Sequence, residues 1–74
     1  MKPTRIVIGE NIERYRKELG VNISQLARKM GMNASQVDRY ENAETNMGID
    51  KLDEFAYYLK VKPIDLVEDW SDEE

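Results

Sequence analysis

The 74-residue chain has no cysteine and no histidine. Without cysteine there is no disulfide framework and no thiolate metal site. Without histidine, imidazole catalysis and most zinc chemistry are excluded, and no metal or cofactor is expected. No apolar run approaches the roughly 18 residues needed to span a bilayer. The apolar stretch near the N-terminus, residues 6–8, is too short for a signal peptide. A cytoplasmic protein with no membrane partner is the expectation. The aromatic residues Tyr57, Tyr58 and Trp70 are not interleaved with basic ones, which argues against a base-stacking platform. A chain this short forms one domain and buries a small core. Lacking any covalent or metal staple, it must draw stability from good helix packing or from association.

Charge is what the chain has in an uneven supply. The net charge is −4, yet residues 1–40 carry eight basic and four acidic groups, while residues 41–74 carry three basic and eleven acidic. The first part is therefore +4 and the second −8. Such polarisation allows a positive face on an acidic molecule. The alternative is two ordinary solvated faces.

Apolar residues recur at helical spacing and nothing alternates like a strand. Ile8, Ile12, Tyr15 and Leu19 make one stripe, which Gly20 can end. Asn22 is a good N-cap for a second helix with Ile23, Leu26, Ala27 and Met30 on one face. Gly31 and a second N-cap, Asn33, follow at once, which predicts a tight turn into a third helix bearing Ala34, Val37 and Tyr40. Residues 42–48 have turn composition. A fourth helix carries Ile49, Leu52, Phe55, Ala56 and Leu59. Pro63 suits the first position of a fifth, with Ile64, Leu66, Val67 and Trp70. Residues 1–70 are read as the domain and 71–74 as a frayed acidic tail.

The informative segment is NISQLARKMGMNASQVDRYE, residues 22–41: helix, glycine-containing turn, helix. Ala27 is small, as a close crossing requires, and Leu26, Met30, Met32 and Val37 can fill the angle. This is a helix-turn-helix pattern. From Ile8 to Val67 the chain resembles the Cro/CI-type (xenobiotic-response-element) family of bacterial and phage repressor domains. The resemblance rests on IGENI at 8–12, LARKMGM at 26–32, VDRYEN at 37–42, and residues 52–61 with Ala56 and Leu59. No single motif decides it; order and spacing together do.

The resemblance implies an all-α, five-helix, lambda-repressor-like fold that binds double-stranded DNA, dimerises and regulates transcription, usually as a repressor. By the same resemblance Asn33, Ala34, Ser35, Gln36 and Arg39 form the start and exposed face of the recognition helix. Asn22 lies where the second helix meets the DNA backbone, and Asn42 makes a backbone contact after the third. Arg16 and Glu41 match a partly buried ion pair; two exposed charges are the alternative. Side-chain chemistry agrees with these roles. Arg39 can meet guanine with two hydrogen bonds and Gln36 adenine. Asn22 and Asn33 sit at helix N-termini, which attract phosphate, although plain capping accounts for them as well.

Two departures count against strong DNA binding. Ile23 stands where the family usually has a phosphate-reaching glutamine. Ala43 and Glu44 replace the usual glycine and basic residue. Each lost phosphate contact lowers affinity and flattens its salt dependence.

Leu66 and Trp70, four apart, make a stripe distinct from Ile64 and Val67. They are read, with Met47, as the interface of a homodimer. A protein-interaction module, such as an antitoxin or anti-repressor using the acidic half, is the competing function. Catalysis is the weakest reading, since Asp50, Asp53 and Glu54 simply suit the first turn of a helix. No ligand-binding domain follows the helix-turn-helix, so a small-molecule effector is not expected.

Overall fold

In a computed structural model that describes residues 2–69, the chain folds into five helices, with no strand among the described residues. They are α1 (Thr4–Leu19), α2 (Ile23–Met30), α3 (Ala34–Glu41), α4 (Ile49–Leu59) and α5 (Pro63–Val67). The order and caps are those expected from the spacing. α1 starts a full turn before Ile8 because Pro3, at φ −56°, is set to enter a helix.

The turn between α2 and α3 is enforced by Gly31, whose φ of 69° lies in the left-handed region that a side chain disfavours. Its own N–H bonds back to Arg28, and the Met32 N–H donates to the Ala27 carbonyl at 2.9 Å. These satisfy the last carbonyls of α2 while the chain reverses. Asn33 then opens α3 two residues later.

The core is Ile8 and Ile12 from α1, Leu26 and Ala27 from α2, Val37 from α3, Phe55, Ala56 and Leu59 from α4, and Leu66 from α5. α2 and α3 pack on each other, and α1 runs behind them against α3, α4 and α5. Tyr40 of α3 meets Phe55 of α4 edge to face, with ring centroids 5.4 Å apart. That contact adds about 0.5–1.5 kcal/mol beyond burial and fixes the C-terminal half of α3 on the core.

Departures from the expected stripes fall at three places. Ile49 is 77% exposed, because it is the first residue of α4 and lies ahead of the core that Phe55 and Leu59 reach. Leu19, at the other end of its stripe, is also exposed. The third departure corrects the interface reading of α5: Leu66 is fully buried in the core and not on the surface, while Ile64 is 62% exposed and Val67 is exposed too. A helix of five residues has room for one core-facing position, and packing against α1 and α4 selects Leu66. Trp70, its proposed companion, lies outside the described residues.

A side chain on α1 settles which way α5 is held. Asn11 is buried, and its Nδ2 donates to the Leu66 carbonyl at 2.9 Å and the Glu68 carbonyl at 2.8 Å. The end of a short helix leaves carbonyls without partners. Asn11 satisfies two of them and closes the fifth helix onto the first.

Candidate nucleic-acid interface

α2 and α3 both begin with a reciprocal cap. The Asn22 side chain accepts the Gln25 N–H at 2.8 Å, and the Gln25 side chain accepts the Asn22 N–H at 2.8 Å. At α3 the Gln36 side chain accepts the Asn33 N–H at 2.9 Å. Each cap fixes where its helix starts; first-turn N–H groups that no cap meets have no intrahelical partner.

On α3, Ser35, Gln36 and Arg39 are exposed. Gln36 and Arg39 line one shallow notch of about 110 Å³ together with Tyr40 and Thr45. The sequence gives no reason to expect Thr45 here, since a threonine in a turn carries no signal of its own. Asn33 and Asn22 are exposed at the two helix starts, and Asn42 is exposed at the end of α3, where its N–H donates to the Asp38 carbonyl. Ala34 differs from its neighbours: it is half-buried and packs against the core, so it supports α3 from beneath. Met47 is likewise half-buried against the core.

Ion pairing divides the basic residues. On α1, Arg14 pairs with Glu18 and Lys17 with Glu13, while Lys2 pairs with Glu10. Arg5 donates to the Asn46 side chain at 3.2 Å, tying the first turn of α1 to the loop after α3. Arg28, Lys29 and Arg39 are exposed and take part in no ion pair among the described residues. Among the described residues, the cations of the N-terminal half without an ion pair are therefore Arg28, Lys29 and Arg39 on α2 and α3, and Arg5 in the first turn of α1, whose partner is a neutral amide.

Arg16 holds this unit in place. Its Nε–H donates to Glu41 Oε2 at 2.6 Å and its Nη2–H to Oε1 at 3.1 Å. Both side chains are nearly buried, at 9% and 6% exposure. A third donor, Nη1–H, reaches the Val21 carbonyl at 3.0 Å. One guanidinium thus grips the residue just before the Asn22 cap and the last residue of α3, bracketing the helix-turn-helix at both ends. The hydrogen bond to Glu41 raises the Arg16 pKa further, so the group stays charged.

Gly9 is the second device at that end. It is buried, and a Cβ built there would collide with the Glu41 carbonyl oxygen and come within 2.7 Å of the Tyr40 carbonyl oxygen. Only glycine lets α1 lie so close to the backbone at the end of α3. Its reason is invisible in the sequence, where Gly9 is one member of a motif in mid-helix. Beyond it the chain leaves α3 through Ala43 at φ 59°, a left-handed residue that is not glycine.

Two crossed helices, an exposed polar face on the second, and unpaired cations on both define a helix-turn-helix nucleic-acid-binding unit. The sequence matches the family model of the Cro/C1-type HTH DNA-binding domain over residues 11–72. The chain belongs to that family. No match is found among curated proteins by sequence. Among solved structures, the chain is similar to a hypothetical transcription factor, NHTF, from Neisseria (TM-score 0.88, 23% identity, 95% of this chain and 80% of that one). It is similar to the clp gene regulator ClgR from C. glutamicum (TM-score 0.83, 17% identity, 89% and 86%). It is also similar to the restriction-modification controller protein C.AhdI from Aeromonas hydrophila (TM-score 0.78, 22% identity, 84% and 94%). At these identities the structural likeness speaks for the fold.

Proposed function

We propose that this domain is a sequence-specific transcriptional regulator, most simply a repressor, that inserts α3 into the DNA major groove as a homodimer. The carrying observation is that Ser35, Gln36 and Arg39 are exposed at helical spacing on α3, while α2 and α3 carry the exposed cations Arg28, Lys29 and Arg39, which have no ion pair among the described residues. Side chains on that face reach base edges, and the cations meet phosphates on either side. Asn22, Asn33 and Asn42 lie at helix ends, where they add backbone contacts. The solved structures named above include transcription factors and regulators, which favours the regulatory role.

The test is a gel-shift titration on duplexes selected from a random pool, with wild type and Arg39→Ala. The variant should lose about 1–3 kcal/mol on the selected duplex and relax preference at one base position. An equal loss on selected and random DNA would make Arg39 a phosphate contact instead.

A second reading is favoured by two residues. Ile23 removes a phosphate-reaching side chain at the start of α2, and Glu44 is exposed just after α3. Both suit a protein-interaction module whose acidic C-terminal half binds a basic partner, as an antitoxin or anti-repressor does. Absence of any salt-sensitive DNA binding at low ionic strength selects that reading.

A further inference from the structure

Among the described residues, Arg5 is the basic residue of α1 whose partner carries no charge. Arg14, Arg16 and Lys17 each face a carboxylate. Arg5 instead donates from Nη1 to Asn46 Oδ1 at 3.2 Å, from the first turn of α1 to the loop after α3. An amide oxygen orients a guanidinium without neutralising it, and a single bond leaves N–H donors over for an anion. Both side chains are exposed. We propose that Arg5 is a DNA-backbone contact delivered from α1: Asn46 aims its guanidinium at a phosphate of the strand that borders the major groove at the C-terminal end of α3. The proposal rests on the reading of α3 as the groove-entering helix.

Two lengths fix the placement. α3 has eight residues and is about 12 Å long, and the major groove is about 12 Å wide. Residues that leave α3 therefore emerge beside the phosphates at the groove edge. The first turn of α1 lies along that exit, where Ile6 lines one surface cleft with Asn42 and Ala43. Glu10 and Glu13 line it too, each already paired with a lysine. The exit itself carries the wrong charge for DNA. Glu44 is exposed there, and no basic residue stands between Asn42 and Gly48. A phosphate at that edge meets a cation only if another part of the fold supplies one, and the bond to Asn46 holds Arg5 there.

Base edges play no part in such a contact, so it should act alike on every sequence. The experiment titrates the full chain against a duplex selected from a random pool and against random duplex, over a salt series. Arg5→Gln should weaken both by the same factor, about threefold to tenfold at low salt. It should also lower the slope of log K against log salt by about 1. Its urea denaturation midpoint should match wild type, because the side chain is exposed. Asn46→Ala should cost less and keep the wild-type slope, since the cation remains, and should add nothing in the Arg5→Gln background. An unchanged salt slope in Arg5→Gln, a loss confined to the selected duplex, or a fully additive loss from Asn46→Ala overturns the proposal. A wild type that binds no duplex at low salt overturns the reading of α3 itself, a distinct result.

Discussion

Arg16 and Glu41 show how much can depend on one side chain. Their buried, two-bond contact takes two charges out of water, so its net stabilisation is small, but removing one partner strands the other. Glu41→Leu or Arg16→Met should each cost about 3–5 kcal/mol in urea denaturation, while the double variant Arg16→Met with Glu41→Leu should recover a large part of that loss. Additive losses in the cycle would mean that each residue acts through separate contacts. Ala43 makes the opposite case. It occupies left-handed backbone at φ 59°, which costs an L-residue about 1 kcal/mol. Ala43→Gly should therefore raise stability, by less than that figure because glycine also loses more freedom on folding. A lower denaturation midpoint in the variant would show that the Ala43 methyl makes compensating contacts.

Among the helices, α5 depends most on its neighbours. Five residues make too short a helix to persist alone. It is held by Leu66 in the core and by Asn11 across its C-terminal carbonyls. Asn11→Ala leaves those carbonyls unsatisfied and opens a small cavity, at a cost of about 2–4 kcal/mol. The loss should appear as faster amide exchange in α5 and the adjoining face of α1, with α2 and α3 least affected. Uniform acceleration across all helices would show that α5 unfolds only with the whole domain. α3 is pinned by Val37 in the core, Tyr40 on Phe55, and Glu41 on Arg16. The helix proposed to read DNA is thus rigidly aimed, which restricts adjustment on binding to side-chain rotation.

At the scale of the molecule, the small core and the exposed Ile64 and Val67 direct attention to association. With Leu66 in the core, the outward face of α5 is the surface available to the proposed homodimer, with Trp70 beyond the described residues. A two-fold pair would place two copies of α3 about 34 Å apart, one helical turn along one face of DNA. Sedimentation at micromolar concentration should give a dimer for wild type and a monomer for Ile64→Glu with Trp70→Ala, and the variant should also bind selected duplexes more weakly. A wild-type monomer both free and on DNA would rule this assembly out.

Sequence determined the parts that depend on neighbouring residues. Asn22 and Asn33 announce helix starts, Gly31 a forced reversal, Pro63 the opening of α5, and apolar spacing the five helices, because caps, turns and periodicity are local physics. The order of those signals also carried the family. Tertiary structure alone decided which side of a short helix faces in, and so exchanged Leu66 for Ile64 and Val67. It brought Asn11 to carbonyls 55 and 57 residues further along the chain. It set Gly9 against the backbone at the end of α3 and aimed three donors of Arg16 at two segments. Contacts between distant segments depend on where packing brings them, and one chain's residue pattern does not encode that placement position by position.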